Sequence, residues 1–146
     1  YIIGDTYPGY ENYENSLRQF VLKNKLEKKI IFTGFKKNVI KYLYKSDFLF
    51  HPAIEPDPLP TVIIESILAK VPVIATKLGG AIEILDNGRG GLLVPYNDVN
   101  ISVNLIRNYL LDSKEIQKKT NHSQIHLKRN FLKENFNENI IKIIEK

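Results

Sequence analysis
The chain has 146 residues and no cysteine, with 21 Lys and Arg against 16 Asp and Glu and a formal net charge of +5. That length suits one domain with a sizeable core, and the lack of cysteine excludes disulfides and thiolate chemistry and fits a reducing compartment. No apolar run approaches the ~20 residues that span a bilayer. The basic balance admits a phosphorylated ligand or an anionic membrane surface, although lysines spread along a Lys/Asn/Ile-rich chain need no partner.

Apolar runs and helical patterns alternate along the chain. Residues 1–3 read as a strand closed by Gly4-Asp5, and a chain that opens inside a strand without methionine is expected to be part of a longer protein. Tyr7-Pro8-Gly9 is a turn, and 11–24 a helix with Leu17, Phe20 and Val21 facing inward. Residues 30–33 form the next strand, ending at Gly34; Asn38 opens a helix buried through Val39, Tyr42 and Leu43. A strand at 48–51 precedes a helix at 61–69, and 71–75 is a strand with Pro72 near its start, where a missing N–H is tolerated. Gly79-Gly80 turns into a short helix at 81–85, Asp86-Asn87-Gly88 is a turn, and 91–94 is a strand stopped by Pro95. Asn97-Asp98 can cap a helix at 99–111, with Val103, Ile106 and Leu110 as its stripe. A lysine-rich helix follows at 113–131, and 136–146 carries Ile140, Ile141 and Ile144 on one side.

Short strands alternating with longer helices predict an α/β fold, a parallel, doubly wound sheet covered on both faces. Right-handed crossovers place the strand-to-helix loops along one edge. The loops at Gly4, Gly34, 55–60 and 77–80 should therefore line one crevice.

The stretch Asp57-Pro-Leu-Pro-Thr-Val-Ile-Ile-Glu65 concentrates chemistry at that edge. The prolines of Glu55-Pro-Asp-Pro-Leu-Pro60 break both helix and central strand, so Asp57 sits in a loop. Pro60 or Thr61 then caps a helix that carries Glu65 one turn in. Free helical amides lie between the two acids and favour phosphate, so a diphosphate, a sugar hydroxyl and a ribose could each find a partner.

Each candidate has a plainer reading beside it. Asp57 and Glu65 could be a loop acid and a first-turn acid that only favours the helix dipole. Glu55 reads as a solvated neighbour, and Thr61 could simply cap its helix. Gly34, Phe35 and Lys36 stand at the right edge to meet a nucleotide base, or Phe35 belongs to the core. Lys77 and Gly79-Gly80 could approach phosphate or only form a turn, and His51 reads as a satisfied structural histidine. His122 and His126 lie at helical spacing with no acid nearby in sequence to complete a ligand set, so no metal is expected. Tyrosines around Tyr7, Tyr10 and Tyr13 lack the basic–aromatic pattern of a nucleic-acid surface.

Several ordered segments together resemble the donor-binding half of family 4 (group 1) retaining glycosyltransferases with the GT-B fold. They are Ile2-Ile-Gly-Asp5, Ile31-Phe-Thr-Gly34, Tyr44-Lys-Ser-Asp47, Asp57 through Glu65, Val71-Pro-Val-Ile-Ala-Thr76, Gly79-Gly-Ala-Ile-Glu83 and Gly90-Gly-Leu-Leu-Val94. The resemblance implies a Rossmann-like nucleotide-sugar domain at 1–112 with helices at 113–146 packing on it, and a sheet lacking its first strand. It implies transfer of a sugar from a nucleoside diphosphate to an acceptor in polysaccharide or glycolipid synthesis, in the cytoplasm or at the inner face of the membrane, without a metal or other cofactor. A separate N-terminal acceptor domain is implied as partner. By resemblance Glu65 holds the ribose and Asp57, in place of the family's glutamate, meets the sugar. Pro60 replaces the usual glycine and has no N–H, so diphosphate contacts fall on the Thr61 and Val62 amides, with Leu59 beside them and Gly34, Phe35 and Lys36 toward the base. A non-catalytic nucleotide-sugar binding subunit and half of a sugar-nucleotide epimerase remain as other readings.

Overall fold
The computed structural model describes residues 1–6 and 8–131; Tyr7 and the stripe expected at 136–146 lie outside them. The chain divides into two compact units, Tyr1–Val39 and the part that begins at Ile40.

The first unit contains helix α1, Glu11–Lys23, and one parallel bridge between Ile2 and Phe32. The expected strands at 1–3 and 30–33 are reduced to that bridge. Ile2 donates to the Ile31 carbonyl at 2.8 Å and Thr33 donates back to Ile2 at 2.9 Å. Gly4 (φ 136°) and Gly34 (φ 67°) then turn both runs out of the extended region. The carboxylate of Glu11 accepts from the Gly9 amide at 2.9 Å, and amide hydrogen bonds from Glu11 and Gly9 hold its pKa below the ordinary value. Val21 is buried, but Phe20, expected inside, is 61% exposed.

The second unit holds a parallel three-stranded sheet in the order β1-β2-β3: Leu49–His51, Val73–Thr76 and Leu92–Val94. Its helices are α2 (Ile40–Leu43), α3 (Thr61–Leu68), α4 (Ala81–Ile84), α5 (Val99–Leu111) and α6 (Ser113–Asn130). The helix expected from Asn38 is the single turn α2, anchored by buried Leu43.

The central strand β2 is buried at every position, as its unbroken apolar run predicts for a parallel sheet. Val73 and Ala75 face a core built from Ile63 and Ile67 of α3, Ala81 and Ile84 of α4, Leu85 and Leu127 of α6. Ile74, one residue out of phase, faces the other way toward Val94, Tyr109, Ile106 and Ile116. Helices therefore cover both faces, as the alternation of elements predicts.

α5 has the expected bounds, and Asp98 caps it by accepting from the Ile101 amide at 2.9 Å. Its buried face differs from the expected stripe: Tyr109 is 5% exposed, while Val103 and Leu110 are 39% and 42% exposed. Ser102 Oγ donates to the Pro95 carbonyl at 2.7 Å, which draws the Ser102–Ile106–Tyr109 side onto the sheet. The Tyr109 hydroxyl has no hydrogen-bond partner among the described residues. Burial first, and then the Glu115 charge, push its pKa up to about 12. Tyr109→Phe should therefore raise stability by about 1 kcal/mol, since an unsatisfied buried hydroxyl costs its desolvation. Denaturant titration with an unchanged m-value checks this, and a loss of stability would mean the hydroxyl is satisfied.

α6 begins at Asp112, whose carboxylate accepts from the Glu115 amide at 2.9 Å. Ile116 packs with the α5 cluster and Leu127 with the opposite one, so the helix passes from one face of the sheet to the other. A single side of α6 fastens it to α4 and to the turn before β3. Lys119 Nζ donates to the Gly88 and Gly91 carbonyls, His122 Nε2 lies 2.6 Å from Asp86 Oδ2, and His126 Nε2 meets the Glu83 carbonyl at 3.0 Å. Asp86 also takes Arg89 at 2.6 Å. The fold thus brings to the two histidines an acid that their own neighbourhood in sequence lacks. Among the described residues, no group of three or more His, Cys, Asp or Glu could hold a metal ion. No described helix is long and apolar enough to cross a membrane.

Candidate functional site
The carboxyl ends of β1 and β2 lie side by side, with His51 opposite Ala75. The loop leaving β1 carries Asp57 and Leu59, both exposed, and closes on buried Pro60. Three ties shape it. Thr76 Oγ1 donates to the Ala53 carbonyl at 2.7 Å, Asp57 Oδ1 accepts from the Leu59 amide at 2.9 Å, and the Gly80 amide donates to the Asp57 carbonyl at 2.8 Å.

Gly79 and Gly80 belong to this arrangement through their missing side chains. A Cβ on Gly79 would stand 2.4 Å from the Asp57 carbonyl oxygen, and one on Gly80 would stand 2.1 Å from that of Pro58. Gly79 also has φ 54°. The pair is a brace for the acid loop, which is the turn reading of Gly79-Gly80 with a specific purpose. Lys77, exposed beside them, is fixed through its backbone by donation to the Val94 carbonyl at 2.7 Å.

α3 starts where the loop ends. Pro60 is its N-cap, with no side-chain cap, and its carbonyl accepts the first helical bond, from Ile63 at 3.0 Å. The Thr61 and Val62 amides precede that bond and are the open donors of the helix start. Ile63, Ser66 and Ile67 lock the inner face of α3, and the Ser66 hydroxyl donates to the Val71 carbonyl at 3.1 Å. Glu65 is half-buried, one turn into α3 and off that inner face. Among the described residues its carboxylate makes no hydrogen bond and no ion pair. His51 Nδ1 is likewise buried without a partner among them, so the reading of a satisfied structural histidine does not hold.

The structure thus brings together Asp57, Leu59, Thr61, Val62 and Glu65, with Gly79 and Gly80 behind them. Gly34, Phe35 and Lys36 belong to the first unit, where the Gly4 amide donates to the Gly34 carbonyl at 3.2 Å. Phe35 is 71% exposed, which removes the reading that placed it in the core. Sequence reasoning missed the Thr76 tether. A threonine closing a buried strand was its one visible signal.

A parallel α/β unit with open helix amides beside its strand ends suits an anionic ligand. The chain belongs to the glycosyl transferases group 1 family, whose model matches residues 1–126. It is 38% identical over 95 residues to a probable sucrose-phosphate synthase of Thermosipho melanesiensis, an alignment covering 62% of this chain and 21% of that protein. The crystal structure of Anabaena HepE in complex with UDP-glucose matches with a TM-score of 0.84 and 27% identity, over 98% of this chain and 39% of that one. A glycosyltransferase from Rickettsia africae matches with a TM-score of 0.82 and 26% identity, over 97% and 38% of the two chains. The family and the α/β fold of GT-B glycosyltransferases, both implied by the ordered motifs, are shown by these matches.

Proposed function
We propose that this chain is the donor-binding part of a retaining glycosyltransferase that takes a sugar from a nucleoside diphosphate for polysaccharide or glycolipid synthesis in the cytoplasm. The observation that carries the proposal is the Glu65 carboxylate, half-buried and unpartnered among the described residues beside the open amides of α3. In this reading Glu65 accepts from ribose hydroxyls, the Thr61 and Val62 amides meet the diphosphate, and Leu59 packs beside it. Asp57 reads the transferred sugar. Same-face attack needs no side-chain nucleophile. The charge growing on the leaving diphosphate is met by helix amides and basic side chains, without a metal, an electrostatic contribution of ~3–4 kcal/mol per donor group. An acceptor-binding domain completes the enzyme. Its support is that the chain spans only 39% of HepE and 21% of the sucrose-phosphate synthase.

Calorimetric titration with uridine diphosphate, the nucleotide held by HepE, and with guanosine diphosphate tests the reading. Glu65→Gln keeps the shape and removes the charge, and should weaken binding by about 1–3 kcal/mol. Asp57→Asn should leave nucleotide affinity nearly unchanged and lower sugar transfer by the enzyme with its acceptor domain. Unaltered affinity in a folded Glu65→Gln variant would remove that residue from the site.

A further inference from the structure
His51 closes β1 where the acid loop begins, and the donor reading gives it no task. Its backbone is held firmly: it pairs with Ala75 of β2, and Pro52 behind it confines it to the extended region. Thr76 Oγ1, donating to the Ala53 carbonyl at 2.7 Å, fixes the chain just beyond. Leu49, two residues earlier, packs against the core that α3 helps to build. Side chains alternate along a strand, so the His51 imidazole stands on the face covered by α3, at the end where α3 begins. Its two nitrogens differ. Nδ1 is buried without a partner among the described residues, whereas Nε2 makes no hydrogen bond among them but is open to solvent. A neutral imidazole carries one proton, and a buried N–H without an acceptor is tolerated less than a buried lone pair. The proton therefore belongs on Nε2, which makes the open nitrogen a donor of fixed direction.

The neighbouring chain is short of donors. Pro52, Pro56, Pro58 and Pro60 have no N–H, and the Leu59 amide is taken by Asp57 Oδ1 at 2.9 Å. The start of α3 has no side-chain cap, and its open donors are the Thr61 and Val62 amides. An anion seated on two amides gains from a further donor that is already in place and needs no ordering. We propose that His51 Nε2–H is that donor and hydrogen-bonds a diphosphate oxygen of the nucleoside-diphosphate sugar, offsetting the amide that Pro60 lacks. This role rests on the donor-site reading, but on neither Glu65 nor Asp57. It is one of binding and orientation, and no proton is transferred.

Nuclear magnetic resonance of the nitrogen-labelled chain reads this atom directly. There are three histidines, and the ring signals lost in His51→Gln are those of His51. Long-range proton–nitrogen correlations should place its proton on Nε2 in the free protein. Uridine diphosphate and inorganic pyrophosphate should both move the Nε2 signal, and uridine should not. His51→Asn, whose amide stands at the place of Nδ1, should weaken uridine diphosphate binding about tenfold or more, while His51→Gln, whose amide reaches the place of Nε2, should stay within about threefold of the wild type. Thermal melting of both variants separates lost affinity from lost fold. A proton on Nδ1, an Nε2 signal unmoved by bound uridine diphosphate, or equal affinities of the two variants overturns the proposal. So does an equal response to uridine, which would assign the nitrogen to ribose or base. A wild-type protein that binds no uridine diphosphate removes the donor site and this role together. Unaltered affinity in Glu65→Gln beside a weakened His51→Asn removes Glu65 alone and leaves His51 in place.

Discussion
Gly80→Ala should lower the stability of the domain by about 1–3 kcal/mol, the usual cost of forcing atoms into a packed site, and should weaken nucleotide binding along with it. Gly80 has an ordinary helical φ of −65°, so conformational preference is not the cause. The added methyl would stand 2.1 Å from the Pro58 carbonyl oxygen, 2.7 Å from its carbon and 3.2 Å from Pro60 Cδ. Two of these are backbone atoms in a segment made stiff by three prolines, so the loop must move as a body. Moving it breaks the Gly80 to Asp57 hydrogen bond and shifts the cap of α3. Thermal melting and nucleotide titration of the same protein read both effects. Glu83→Ala, an exposed change on α4, is the control. A Gly80→Ala protein with wild-type melting and wild-type affinity would show that the loop is not braced there.

Asp86→Asn should cost about 1.5–3 kcal/mol, the range for a hydrogen bond to a charged group. The Arg89 partner contributes little of this, because its side chain is 70% exposed. The His122 contact contributes most, at 2.6 Å to a carboxylate whose side chain is only 12% exposed. Asparagine tolerates the left-handed backbone that Asp86 adopts, φ 50°, so the substitution isolates the charge from the conformation. The His122 hydrogen bond, chiefly, holds the Asp86 pKa below its ordinary value, with Arg89 and the nearby His126 charge acting in the same direction against burial. A depressed folded pKa means that this stabilisation is fully present above the unfolded pKa. It is lost as pH falls through the folded one. The wild-type protein should therefore lose stability across that acidic window, and Asp86→Asn should show a flatter profile there. Denaturant midpoints measured over that window check it; parallel profiles for the two proteins would remove Asp86 from the acid response.

Much of the second unit was legible because its elements repeat strong local signals. The apolar run around Val73 to Thr76 can only be a doubly covered strand, and Asp98 announces the start of α5. The acid loop was legible for the same reason, since prolines fix where helix and strand cannot be. The rotation of α5 was not, because period alone cannot distinguish a stripe led by Val103 and Leu110 from one led by Tyr109. The choice is made by the Ser102 to Pro95 hydrogen bond, and the sequence does not show which carbonyl lies within reach. Asp86 and His122 were opaque for a related reason: a turn acid and a helical histidine 36 residues apart carry no mutual mark in the chain. The brace at Gly79-Gly80 was half legible. Paired glycines signal a turn, but the carbonyls that exclude a side chain belong to a loop read separately.

The way α6 is fastened bears on how the protein reaches its native state. Its ties are among the most distant in sequence, 36 residues from His122 to Asp86 and 57 from Gln124 to the Ile67 carbonyl. Closing such loops loses chain entropy before any contact rewards it. The sheet core of β1, β2 and β3 with α3 can gather first and leave α6 to dock on a surface already formed. Substitutions along its fastening side would then hasten unfolding and leave the refolding rate nearly untouched, so that α6 governs how long the native state lasts more than how quickly it is found.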